Sequence, residues 1–154
     1  MMIKKILIAL AIIFIGIQFI RPARNLGKAD GPNDITHYVV VPDNVQAILK
    51  KSCYDCHSNH TDYPWYVNVN PVGLMLASHI KDGKQTLNFS DLSGMNERRL
   101  THKLTGIAEQ VKTHAMPIGS YTLIHTSAKL NDSEIKIIKN WSVFAAQHIS
   151  IKTN

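Results

Sequence analysis

The sequence predicts an all-α protein: a helical domain with long loops, preceded by one hydrophobic helix at the N-terminus. Three observations carry this expectation. Apolar residues recur at spacings of three and four in separate segments, the period of a helix with one buried face. Capping residues and prolines mark where those segments start and stop. No run alternates apolar and polar residues over the length of a strand. With 154 residues, 45% of them hydrophobic, the chain can bury one core and has little material for a second.

The first element is "MMIKKILIALAIIFIGIQFIRPARN". Two lysines precede fifteen uncharged residues, Ile6 to Ile20, in which Gln18 is the only polar one; Arg21 and Pro22 stop the run. Such a run suits a secretory signal or a retained anchor. Small residues are poorly placed for cleavage, because Gly16 pairs with Gln18 and Arg21 with Ala23. With Met1 to Ile3 included and the lysines reaching to headgroups, the segment approaches the ~17–20 residues that span a bilayer. We therefore expect residues 1–24 to form an N-terminal signal or membrane anchor, retained rather than removed. Residues 25–42 read as a linker: "GKADGPND" lacks any helical period, Pro32 and Pro42 punctuate the stretch, and Val39 to Pro42 suits a short extended piece.

Residues 43–154 hold the domain. Asp43 suits a helix cap, and Val45, Ile48, Leu49 and Ser52 fall on one face of the helix that follows. Residues 58–70 read as a loop. Asn70 and Pro71 suit a cap and first turn, opening a helix expected to end at Gly83, with Met75 filling the core. A third helix is expected from Met95 to Thr113, with Met95 as a hydrophobic staple and Leu100, Leu104, Ile107 and Val111 on its apolar face. A long loop, "HAMPIGSYTLIHTSAK", follows. Asn131 and Glu134 then form a capping box for a last helix that buries Ile135, Ile138, Trp141 or Ser142, and Ala145.

The formal net charge of +6 invites a nucleic-acid reading, but its placement argues against one. Lys4, Lys5, Arg21, Arg24 and Lys28 all flank the first apolar run, leaving 12 basic against 11 acidic residues from Ala29 onward. A nearly neutral domain offers no stripe for tracking phosphates.

Both cysteines of the chain lie in "KSCYDCHSNH", two residues apart, with His57 directly after Cys56. A redox disulfide of thioredoxin type wants such a pair opening a helix in a βαβ setting. Here the pair closes a helix. A zinc site wants four ligands, usually in two separated pairs, and there is no second pair. Covalent haem accounts for all three residues: Cys53 and Cys56 bind the vinyl groups, and His57 becomes the proximal iron ligand. One covalent haem c is therefore expected. In bacteria such attachment takes place outside the cytoplasmic membrane. The expected location is the inner membrane, single-pass, with the haem domain facing the periplasm.

The remaining axial position has several candidates. Met116 leaves a helix, lies in a loop and precedes the stiffening Pro117. His114, two residues away, and His102, on the third helix, are its rivals, while His60 is too close to the attachment site. A methionine ligand raises the reduction potential relative to bis-histidine. The second ring nitrogen of His57 should donate to a carbonyl, with Pro64 and Pro71 as candidates. Tyr63, Trp65, Tyr66 and Tyr121 suit a haem edge or an ordinary core equally well. Arg98 and Arg99 suit a solvated helix face better than propionate pairing. Gly106 costs its helix about 1 kcal/mol relative to alanine, which a close approach to the porphyrin would justify.

The stretches "CYDCHSNHTDYPWY", "NPVG", "MPIGSYTLIHTSAKL" and "EIKIIKNW", with the opening "QFIRPARN", resemble the small bacterial haem-binding domain family. The likeness runs from Ile17 to Trp141. It implies a membrane-anchored, single-haem protein with a cytochrome-c-like fold, whose first and last helices cross. It also implies haem attachment at Cys53, Cys56 and His57 and a Met-Pro ligand at Met116 and Pro117. The expected activity is transfer of single electrons between redox proteins, with no nucleic acid and no small-molecule substrate. A haem enzyme or gas sensor with an open sixth site is the alternative, and an accessory haem-holding domain is a third reading.

Overall fold

The computed structural model describes residues 2–149, in which every regular element is a helix and no strand is present. The helices are α1 (Met2–Ile17), α2 (Asp43–Ser52), α3 (Tyr54–His57), α4 (Val72–Thr86), α5 (Glu97–Lys112), α6 (Gly119–Thr122) and α7 (Asp132–Gln147). Short 3-10 turns at Ile35–His37, Trp65–Asn68 and Thr126–Ala128 interrupt the connections.

Helix α1 buries none of its residues, and its apolar side chains are exposed all round. It has 16 residues, about 24 Å at ~1.5 Å per residue, against a ~30 Å hydrocarbon core. Among the described residues no helix is long and apolar enough to cross a membrane. The expected apolar run reaches Ile20, but regular helix stops at Ile17. Gln18, Phe19 and Ile20 continue as a tighter turn, their N–H groups donating three residues back.

Helix α2 buries Val45, Ile48, Leu49 and Ser52, the face its spacing marks out. Pro42 is the residue before it, and Asp43 opens its first turn. Helix α5 is capped by the Asn96 side chain, which accepts from the Arg99 N–H, and α7 by the expected capping box of Asn131 and Glu134. Met95 packs against the core just ahead of that cap. Helices α5 and α7 form the main helix pair, and α2 packs on α7 across it, joining the first and last helices of the domain. Leu100, Leu104, Val111, Ile138, Trp141 and Ala145 meet Leu49 and Ile48 in one core. Ile135 and Ile107 stand at its edge, partly buried. A Lys51–Glu134 contact of 2.5 Å staples α2 to α7, worth under about 1 kcal/mol because both side chains are partly exposed.

Residues 25–42, read above as a linker, lie across this core. Ile35 and Val39 are buried in it. Trp141 Nε1 donates to the Val40 carbonyl at 2.9 Å. Backbone bonds from Ile35 N–H to Phe89 O and from Leu92 N–H to Asn33 O tie the segment to the stretch after α4.

Two expectations for α4 are corrected. Met75 was expected in the core but is 53% exposed; the buried residues of α4 are Gly73, Leu76, Ile80 and Gly83, a face that Met75 is not on. The helix also runs past Gly83 to Thr86. Gly83 is an interior residue at a close approach: a Cβ there would lie 2.5 Å from the Cys56 carbonyl oxygen. Asn70 does not cap α4, since Pro71 occupies the position before it.

Candidate haem site

Helix α2 runs into the cysteine motif. The Cys53 N–H donates to the Leu49 carbonyl, and the Cys53 carbonyl accepts from the N–H groups of Cys56 and His57. This winds residues 53–57 into the tight helix α3. Helix α4 backs it closely because Gly83 has no side chain.

The two thiols and the imidazole line one cleft with two lobes. The smaller, about 170 Å³, is lined by Cys53, Cys56 and His57, with Gly83 and Tyr121. The larger, about 340 Å³, is walled by Phe89, His102, Gly106 and Val111. Ser52, Cys53, His57, Thr86, Met116 and Pro117 border both lobes. A Cβ on Gly106 would meet nothing within 4 Å, so this glycine leaves the larger lobe open.

His57 is held from behind. Its Nδ1 lies 2.9 Å from the Leu87 carbonyl. A carbonyl only accepts, so Nδ1 carries the proton and Nε2 keeps its lone pair free for a metal. The Phe89 N–H donates back to the His57 carbonyl at 2.7 Å, and the Phe89 ring packs on His57 and stacks on Tyr54. Burial pulls the imidazole below its ordinary pKa, and the Leu87 and Gly83 carbonyls pull it part of the way back. The acceptor is thus Leu87, and neither Pro64 nor Pro71 supplies it.

Burial pushes the Cys53 thiol up to about 12, with Cys56 adding to the shift. It pushes Cys56 up to about 11, with Asp55 adding. Redox-active cysteine pairs show the opposite, a depressed thiol in an electropositive setting. Among the described residues no group of three or more His, Cys, Asp or Glu side chains is arranged to hold a metal ion by itself. The apolar walls, two thiols and an imidazole with a free lone pair fit a haem.

Met116 reaches the cleft through the end of α5. Thr113 closes the helix, and His114 takes the left-handed conformation with φ 56°. The N–H groups of Ala115 and Met116 then both donate to the Gln110 carbonyl. This is a helix-ending reversal of the kind usually given to glycine or asparagine. His114 is exposed and borders neither lobe, whereas Met116 borders both. His102 borders the larger lobe only.

Other readings sort out by position. Tyr121 lines the smaller lobe and donates to Asp55 Oδ2 at 2.5 Å, tying the loop after Met116 to the residue between the two cysteines. Burial and that carboxylate hold the Tyr121 hydroxyl well above its usual range. Tyr63 instead accepts from the Asn25 N–H, Tyr66 contacts His125, and Trp65 is exposed. Arg98 and Arg99 are exposed on α5 and line neither lobe. Sequence reasoning missed Ser52, Asp55 and Gly83. Ser52 borders both lobes, and its buried hydroxyl has no hydrogen-bond partner among the described residues.

An all-helical domain whose thiols, imidazole and thioether converge on an apolar cleft defines a haem-binding class of protein. The chain belongs to the haem-binding domain family, which matches residues 12–143. A search of curated proteins gave no significant match, and neither did a search of solved structures.

Proposed function

We propose that this chain is a membrane-anchored, single-haem c-type cytochrome with a cytochrome-c-like fold. It carries single electrons between redox proteins on the periplasmic side of the cytoplasmic membrane. The observation that carries this reading is the convergence of Cys53, Cys56, His57 and Met116 on one cleft. Cys53 and Cys56 would hold the haem through thioether bonds, each thiol adding across a vinyl group with its hydrogen passing to the neighbouring carbon, so that no oxidant would be needed. His57 would hold the iron through Nε2, its ring fixed by the Leu87 carbonyl. Met116, which borders both lobes, would hold the iron through its thioether sulfur. A haem held there provides the one-electron change at iron, and the chain tunes it by ligation and burial. The exposed apolar surface of α1, none of it buried among the described residues, supports anchoring in a bilayer. Tethering confines the domain to partners on the same membrane and raises their effective concentration.

The test is an absorption spectrum of the oxidised protein made with haem-maturation machinery. The weak far-red thioether-to-iron band is expected, and it disappears in Met116→Ala. His102 on the wall of the larger lobe favours a second reading, a haem enzyme or gas sensor with a labile sixth site. A high-spin spectrum with ready binding of carbon monoxide or peroxide would establish that reading instead.

A further inference from the structure

Two carboxamides join α1 to the domain. The Asn70 N–H donates to Gln18 Oε1 at 3.0 Å, and Gln18 Nε2 donates to the Asn70 carbonyl at 3.0 Å. Asn70 Nδ2 donates to the carbonyls of Ile17, at 2.6 Å, and Ile20, at 2.9 Å. Both carbonyls lie where α1 ends, and that of Ile17 also accepts from the Ile20 N–H. Asn70 is 1% exposed, so the bonds are shielded from water. The loop that carries it is tightly packed as well, since a Cβ on Gly73 would lie 2.1 Å from the Val67 carbonyl oxygen. One turn further along, Arg24 donates to Asn68 Oδ1 and lies over the Tyr63 ring. A freely swinging tether would need none of these contacts.

The same end of the domain is apolar on the outside. Phe19, Ile20, Val69 and Val72 are 82%, 50%, 42% and 39% exposed. Helix α1 falls about 6 Å short of a ~30 Å hydrocarbon core. A short span is accommodated by local thinning and by drawing flanking residues toward the interface. Phe19 and Ile20 directly follow α1, Val69 and Val72 flank Asn70 in sequence, and Arg21 and Arg24 lie just beyond Ile20, residue types suited to an anionic headgroup boundary.

We propose that the Gln18–Asn70 amide pair is a rigid joint that holds the domain in one orientation on the bilayer. It seats Phe19, Ile20, Val69 and Val72 in the boundary between headgroups and acyl chains. This rests on the anchoring of α1 argued above. The experiment uses the full haem-loaded chain in bilayers of phosphatidylcholine and phosphatidylglycerol. It compares the parent with Gln18→Ala, which removes two of the four bonds without touching the buried core. Three readouts are taken: the membrane-bound fraction, the linear dichroism of the haem bands in oriented bilayers, and quenching of a Val72→Trp reporter by brominated acyl chains. The last is read over the background of Trp65 and Trp141. The joint predicts a dichroic haem and a quenched reporter in the parent. In Gln18→Ala the dichroism falls at least twofold and quenching weakens, at an unchanged bound fraction. A membrane-bound parent with an isotropic haem and an unquenched reporter overturns the joint and leaves anchoring intact, as does a Gln18→Ala variant indistinguishable from the parent. A chain that stays out of the membrane overturns both.

Discussion

Gly83→Ala is the substitution whose outcome the geometry fixes most tightly. The added Cβ would stand 2.5 Å from the Cys56 carbonyl oxygen and 3.1 Å from Cys56 Cβ, where ordinary contact begins at 3.4 Å. Helix α4 and the α3 turn must therefore part by about 0.9 Å. The obstacle is backbone, so no side chain can swing aside. Overpacking of this kind costs ~1–3 kcal/mol. Alanine returns up to ~1 kcal/mol of helix propensity. Because the clash is with main chain, the upper half of the range applies, and a net loss of about 1–2 kcal/mol is expected. Urea unfolding of the haem-loaded protein, followed by haem absorbance and far-UV circular dichroism, reads this as a lower midpoint at unchanged slope. Gly119→Ala is the control, because a Cβ there meets nothing within 4 Å. Its midpoint should match the parent or exceed it. If Gly83→Ala is as stable as the parent, the close approach of α4 to the cysteine turn is wrong.

Three further outcomes follow from named contacts. His114→Gly should raise stability by ~0.5–1 kcal/mol, because glycine takes the left-handed conformation without the steric cost. It should leave the haem spectrum unchanged; an altered axial-ligand band would make His114 a ligand. Trp141→Phe removes the donor to the Val40 carbonyl and part of a buried ring, and should cost ~1–2 kcal/mol by thermal or urea unfolding. The Lys51 hydrogen bond holds the Glu134 carboxyl below its ordinary value. Its stabilising contribution is full above the unfolded glutamate pKa and is lost as pH falls through the depressed folded value. Lys51→Met should flatten that part of the acid profile while costing under about 1 kcal/mol at neutral pH, measured as midpoint against pH.

What the sequence made legible, and what it hid, divides along a physical line. Features written in side-chain chemistry at short range could be read. The buried face of α2, the capping box of α7 and the cluster of Cys53, Cys56 and His57 are all of this kind. Features that depend on backbone groups distant in sequence could not. The acceptor for His57 is a main-chain oxygen 30 residues on, at Leu87, and a carbonyl leaves no mark on residue identity. Gly83 carries the usual signal of a helix end, yet it serves a close approach in mid-helix, and only the position of α3 tells the two apart. Met75 sits between two leucines, so local composition suggested burial where the rotation of α4 turns it outward. His114 and Met116 were rival ligand candidates in one loop; the left-handed turn at His114 separates them, and histidine is not the residue that usually announces such a turn. Asn70 advertised a helix cap and instead holds the end of α1 from 50 and 53 residues away.

The central claim is that Cys53 and Cys56 bind haem covalently, and the mass of the intact mature protein tests it most directly. Made alongside a working haem-ligation apparatus and denatured before weighing, the chain should carry the mass of one haem beyond its amino acids. It should keep its colour through acid–acetone extraction, and both properties should be lost in a Cys53→Ala, Cys56→Ala double variant. A polypeptide that weighs only its amino acids, or that releases its colour into the acetone, would contradict the claim.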